Sequence, residues 1–172
     1  IKKRKHTVHF HGIASRPVLS INRGFSAPVT IAMEQSAEDL LFLARKDSDL
    51  FGRWQALSLL FTEALVQAFR AVRGQKTPVF DEGLIRAAGE IAADTTLEPA
   101  FRALALTLPS EADIARDIGA NIDPAAIHIA REALLKAIAD SNAEGFAEIF
   151  DAMNLEGPFR PDADSAGRRA LR

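Results

Sequence analysis

A change of hydrophobic period near residue 33 constrains this chain more than any other feature of its sequence. Before that point apolar and polar side chains alternate. Val8 and Phe10 fall on one side, with Thr7, His9 and His11 on the other, the period of two expected of a strand. Residues 12–17 read as a turn, and Val18-Leu19-Ser20-Ile21 as a second strand. After Gly24, the run Phe25-Ser26-Ala27-Pro28-Val29-Thr30-Ile31 reads as a third strand. Its proline cannot donate to a ladder, which places it at a sheet edge or a strand start. Three short strands cannot bury a core by themselves and need packing partners.

From Ser36 onward the period is helical. Ser36 with Asp39 three residues on is a capping pattern, followed by Leu40, Leu41, Leu43 and Ala44. Asp47-Ser48-Asp49 breaks that helix and offers a new N-cap, with Asp47 and Asp49 read as serving the cap and the macrodipole. The next helix runs to about Arg73, with Leu50, Phe51, Trp54, Leu57, Phe61, Ala64, Ala68 and Val72 on one stripe and Gly74 closing it. Thr77-Pro78 restarts a helix carrying Leu84, Ile85, Ala88 and Ile91, and the stretch before Pro99 starts another, which Pro109 ends. Ser110 with Asp113 repeats the capping pattern, and Gly119 closes a short helix. Asp123-Pro124 combines a cap with a proline at the first helical position. Two more helices are expected, over about 142–153 and from Ser165 to the end.

The expected fold is therefore mostly α. It is an antiparallel multi-helix array of α-superhelical type, preceded by a short antiparallel β segment over about 6–31. The helix starts have no fixed spacing, so a regular solenoid is not supported. Trp54, Phe61, Phe101, Leu104, Leu134, Ile138, Phe146 and Phe150 are expected to be mostly buried, because each lies on an apolar helical stripe. The chain begins inside a strand pattern without a methionine and ends in an amphipathic helix with no C-cap. On that reading it is a piece of a longer polypeptide.

Composition narrows the function classes. No apolar run approaches the ~18 residues needed to span a bilayer, and no secretory signal pattern follows the first charged run. Cysteine is absent, which removes disulfides and thiolate chemistry and fits a reducing, cytoplasmic setting. The net charge of −2 hides an asymmetry. Residues 1–33 carry six basic groups (Lys2, Lys3, Arg4, Lys5, Arg16 and Arg23) and no acid, whereas residues 34–158 carry 21 acids against 11 bases. A basic arm of this kind, with no interleaved aromatics, reads as a solvated strand end rather than a nucleic-acid footprint.

No catalytic constellation emerges. His9 and His11 share a strand face, a usable metal spacing, but His6 falls on the opposite face and a zinc site needs at least a third protein ligand. His128 stands alone on a helix, Arg131-Glu132 and Glu144/Glu148 read as helix-surface charges, and Ser20, Ser26 and Ser58 have no base nearby in sequence. No phosphate loop, nucleophile elbow or His-Glu-x-x-His is present. The expected set of catalytic, cofactor-binding and metal residues is empty.

Several strings resemble one family. Residues 16–29, ending in Phe25-Ser26-Ala27-Pro28-Val29, resemble the segment that closes the β-sandwich of bacterial aminopeptidase N. Residues 40–56, with Asp49, Phe51, Arg53 and Trp54, resemble the start of that family's helical C-terminal domain. Residues 106–111, 122–128, 131–134 and 167–172 keep the family's order. Lys46, Leu50, Gly52 and Gln55 stand where the family often has His, Pro, Asn and Glu.

The resemblance implies two units: residues 1–33 as the last strands of an immunoglobulin-like β-sandwich, and residues 34–172 as the N-terminal part of the helical C-terminal domain. It implies a parent enzyme that is a cytoplasmic zinc metallopeptidase of peptide catabolism, removing N-terminal residues from peptides. The zinc motif and the amine-binding strand belong to an earlier domain, so no catalytic residue carries over. The helical piece would cover the active-site cavity and limit peptide entry. Expected partners are the catalytic domain of the same parent chain and its peptide substrates, with neither nucleic acid nor membrane. The isolated piece is expected to be inactive, to hold no cofactor, and to self-associate through residues 1–31. The rival reading is a free-standing helical scaffold that binds a protein partner.

Overall fold

Side-chain caps set most of the helix starts. The computed structural model describes residues 7–29 and 31–172. It shows α1 (Ala37–Lys46), α2 (Leu50–Arg73), α3 (Glu82–Ala93), α4 (Pro99–Ala105), α5 (Glu111–Ile118), α6 (Pro124–Ser141), α7 (Ala143–Ala152) and α8 (Ala163–Leu171). Ser36, Asp49, Asp81, Ser110, Asp123 and Asp162 each accept a hydrogen bond from the backbone N–H three residues on. At Ser110 the bond is reciprocated by Asp113, completing a capping box. The start expected at Thr77-Pro78 lies instead at Asp81. Thr77 and Pro78 stay non-helical, and the first turn waits for a side chain able to satisfy the Leu84 N–H. At the end of α2, the left-handed residue is Gln75 (φ 55°) rather than Gly74 (φ −82°).

α2 is the axis of the array. At 24 residues it is about 36 Å long, and it packs against α1, α3, α4, α5 and α6. Its inward stripe of Leu57, Phe61, Leu65 and Ala68 meets Ile91 of α3, Ile114 of α5, and Ile127 and Leu134 of α6 in one continuous core. All but Ala68 of these side chains are under 2% exposed. The chain is thus a mostly α, multi-helix array. Arg102 is buried in α4, where its Nη1 donates to the Ala92 carbonyl at 2.9 Å and ties α4 to the end of α3. Burial holds its guanidinium below the ordinary arginine value. α8 closes on α4 through Gly167, where an added Cβ would lie 2.9 Å from the Ala100 backbone nitrogen.

Two expectations need correction. Among the described residues no strand forms. Residues 7–22 run without regular secondary structure, and Arg23–Phe25 makes one 3₁₀ turn with Asn22, Gly24 and Phe25 at positive φ. Alternation makes a segment competent to pair, but pairing needs a neighbouring strand. Val8 and Phe10 accordingly stand 69% and 68% exposed. Ile1, the basic run Lys2, Lys3, Arg4 and Lys5, His6, and Thr30 of the third expected strand lie outside the described residues. Of the eight stripe residues, Phe61, Leu134 and Ile138 are buried, and Trp54, Phe101 and Phe146 are half-buried. Leu104 and Phe150 are 54% and 46% exposed. α7 has no buried residue, and Phe150 is covered by the Arg172 guanidinium, 4.3 Å above its ring. Leu104 belongs to a surface patch described below.

Two of the helical glycines, Gly145 and Gly167, make opposite predictions for the same substitution. An added Cβ at Gly145 meets nothing within 4 Å. Gly145→Ala should therefore stabilise α7 by about 0.5–1 kcal/mol. Gly167→Ala must push α8 off Ala100 and should cost about 1–3 kcal/mol. Chemical denaturation midpoints of the two variants should move in opposite directions.

Candidate interaction surface

The irregular N-terminal segment is fastened to the helical array by charge. Asp47 closes α1, donating its N–H to the Leu43 carbonyl at 3.0 Å, and its side chain is only 2% exposed. The carboxylate accepts from Ser20 Oγ at 2.5 Å, from Arg23 Nη1 at 2.7 Å and from the Asp49 N–H at 2.9 Å. Arg23 also donates to Ser48 Oγ at 2.7 Å. One oxygen of Asp49 caps α2 through Gly52, while the other accepts from the Gly24 N–H at 3.0 Å. A Cβ at position 52 would stand 2.5 Å from Asp47 Oδ2, so Gly52 leaves the room that the carboxylate occupies. A second fastening pairs Arg16 with Asp39 at 2.5 Å.

These contacts set the acidities. The Arg16 hydrogen bonds, working against desolvation, hold the Asp39 carboxyl below its ordinary value. Burial pulls the Asp47 carboxyl up, but hydrogen bonds from Ser20, the Asp49 N–H and Arg23, with the Arg23 charge, outweigh it and leave it lowered. Asp49 serves the cap as the sequence suggests, whereas Asp47 has a second use, holding the N-terminal segment. The signal for that use was the charge asymmetry: two bases of an acid-free segment answer two acids of an acidic body.

Beside this corner lies an apolar patch. Phe25 packs on Phe51 with ring centroids 5.2 Å apart, and Phe51 on Trp54 at 5.7 Å. Leu50, Phe51, Trp54, Phe101 and Leu104 line an open cleft of about 320 Å³ between the start of α2 and one face of α4. Phe25, Leu50 and Leu104 are 55%, 46% and 54% exposed.

The residues weighed for chemistry do not converge. His9 and His11 are exposed on the irregular segment, and His128 on α6 shares a 3.1 Å hydrogen bond with Glu111. The Ser20 hydroxyl is given to Asp47, the Ser26 hydroxyl to Asn22, and Ser58 contributes only its carbonyl, to Thr62. Arg131, expected as a surface charge, is half-buried and donates to the Pro109 carbonyl at 3.0 Å. Glu132, Glu144 and Glu148 are exposed. Among the described residues no three His, Asp or Glu side chains gather closely enough to hold a metal ion. This donor set does not fit a catalytic zinc, which takes three protein ligands.

The fastening predicts a pH dependence. Because the Asp39 and Asp47 carboxyls are lowered in the folded state, they contribute stability above the ordinary value of 3.8. That contribution is lost as the pH falls through the lowered folded values. The protection of the Gly24 amide against hydrogen exchange, taken relative to the intrinsic rate at each pH, should fall over this acid range. In Asp47→Asn that protection should already be low at neutral pH and change little with acid.

Comparison with known proteins accounts for the fold. Residues 37–172 match the family described as "Domain of unknown function (DUF3458_C) ARM repeats", and residues 1–34 match "Domain of unknown function (DUF3458) Ig-like fold". Aminopeptidase N of Caulobacter vibrioides is 41% identical over 96% of this chain and 19% of its own length. Aminopeptidase N of Escherichia coli is 33% identical over 100% of this chain and 20% of its own length. The crystal structure of Legionella pneumophila aminopeptidase A in complex with aspartic acid superposes with a TM-score of 0.76 at 24% identity, covering 94% of this chain and 19% of that one. The chain spans about a fifth of the length of the curated relatives it matches. Helices of 7 to 24 residues explain how an ARM-type array carries no regular sequence period. With residues 37–172 inside that family model, the chain belongs to the DUF3458_C family of ARM-repeat helical domains, and it is similar over nearly its whole length to one stretch of aminopeptidase N.

Proposed function

We propose that this chain is the non-catalytic C-terminal part of a zinc aminopeptidase that removes N-terminal residues from peptides. Residues 1–33 would be the last strands of an immunoglobulin-like sandwich, and residues 34–172 the first part of a helical domain that covers the active-site cavity and limits peptide entry. The observation that carries this reading is the 41% identity over nearly the whole chain to a fifth of Caulobacter vibrioides aminopeptidase N. The scattered histidines and carboxylates support the same division of labour, because among the described residues they form no ligand set. On this reading zinc is held by residues outside this chain, and this chain takes no chemical step of the reaction.

What the chain's own residues would do is positional. Stacked helices of the ARM type present extended surfaces, suited to walling a cavity. The partners on this reading are the catalytic part of the same polypeptide and the peptides it cuts, rather than nucleic acid or membrane. No described helix is long and apolar enough to cross a membrane. We place the enzyme in the cytoplasm, a setting that a cysteine-free sequence suits.

The test compares this chain with the longer polypeptide that contains it. The longer protein should hydrolyse an aminoacyl anilide in a chelator-sensitive way. The 172-residue chain should show neither turnover nor stoichiometric zinc by elemental analysis after dialysis. Turnover by the isolated chain, or one zinc per chain, would overturn the assignment.

A further inference from the structure

Arg102 carries a buried charge whose hydrogen bonding is incomplete. The residue is 3% exposed, and its Nε has no hydrogen-bond partner among the described residues. Nη1 donates to the Ala92 carbonyl, and Nη2 reaches the Met153 sulfur at 3.9 Å. A thioether is a weak acceptor, a poor partner for a guanidinium that burial has stripped of water. Met153 ends α7, and its backbone is held on both sides, because Arg168 Nη2 donates to the Ala152 and Asn154 carbonyls at 3.0 Å each. The residue is half-buried and lines an open cavity of about 530 Å³ together with Arg168 and Arg169. The buried Nε of Arg168 likewise has no partner among the described residues.

We propose that Met153 is a site of stereoselective oxidation by hydrogen peroxide, its thioether offered to the oxidant on one face only. This inference goes beyond the aminopeptidase reading and does not depend on it. A thioether sulfur has two lone pairs, and oxygen added to one or the other gives the two sulfoxide epimers. The Arg102 guanidinium stands over one lone pair inside the fold and leaves the other to the cavity. From that side the sulfur attacks one peroxide oxygen, and the S–O bond forms as the O–O bond breaks. The departing hydroxide takes the proton left on the transferred oxygen and becomes water. The sulfur is oxidised and the peroxide reduced. A methionine sulfoxide ordinarily disrupts an apolar core. Here the new oxygen, a far better acceptor than the thioether, enters a cavity whose wall carries the Arg168 and Arg169 side chains. It meets donors rather than hydrocarbon, so the fold keeps it.

The experiment uses the longer polypeptide that contains this chain. The native protein and a urea-unfolded sample are treated with dilute hydrogen peroxide, quenched and digested. The peptide carrying Met153 is divided between two reductases, each specific for one sulfoxide epimer, and the oxygen remaining is read by mass spectrometry. The unfolded sample should give both epimers in similar amounts. The native protein should give one of them in about tenfold excess or more. Arg102→Gln shortens the side chain and removes the charged donor, which frees the thioether to turn. It should bring the excess below about threefold, and Arg102→Ala gives the same readout if the first variant fails to fold. An equal mixture of epimers from the native protein would overturn the inference. So would a Met153 left unoxidised under conditions that oxidise the unfolded sample, or an undiminished excess in a folded Arg102 variant.

Discussion

The Asp47 carboxylate is the point on which the rest of the arrangement turns. It ends α1, sits against the start of α2, and receives a serine, an arginine and a backbone amide at once. A carboxylate with a side chain only 2% exposed would be costly without those donors. With them, it locks three stretches of chain to one another: the 20–24 turn, the end of α1 and the first turn of α2. Two consequences follow directly. Gly52 has to leave space for the carboxylate, and Phe25 is delivered onto Phe51, which gives the apolar patch its outer edge. The corner explains how an irregular segment without a sheet of its own stays attached to a helical body.

The parts of the structure legible in the sequence are those decided locally. Ser36, Asp49, Ser110 and Asp123 could be read as caps because a cap needs only a short polar side chain three residues before a free amide. The stripe through Leu57, Phe61 and Ala68 was equally local, since one helix places those side chains on one face, whereas the buried Leu65 was passed over for its neighbour Ala64. What could not be read depends on distant residues. Val8 and Phe10 alternate as a strand does, yet a strand exists only where a second one pairs with it. Leu104 lies on an apolar stripe with no element laid over it, and Phe150 has only the Arg172 guanidinium across its ring, so periodicity alone overstates their burial. Thr77-Pro78 carries an adequate start signal, and Asp81 wins because its side chain reaches the Leu84 N–H.

The candidate site divides in the same way. The residues weighed for chemistry went to structural partners: His128 bonds to Glu111, and the Ser20 and Ser26 hydroxyls are given to Asp47 and Asn22. Asp47 was visible only as a helix-end charge, because its partners Ser20 and Arg23 stand 27 and 24 residues away. The charge asymmetry between segment and body held the clue, without saying which pairs would form. The family resemblance rests on strings that make structure: Phe25 stacks on Phe51, Asp49 caps α2, and Arg53 donates to the Ala44 carbonyl. Those strings mark the junction of segment and array rather than any reaction chemistry.

The central physical claim, that Arg23 and Asp47 fasten the N-terminal segment to the array, is open to a double-mutant cycle. The measurement is the unfolding free energy of the native chain, Arg23→Ala, Asp47→Ala and the double variant, with Gly24 amide exchange followed in parallel. The account predicts a coupling well above the ~0.5 kcal/mol that separates independent sites, with loss of Gly24 protection in either single variant. Additive effects within that margin, with Gly24 still protected, would contradict it.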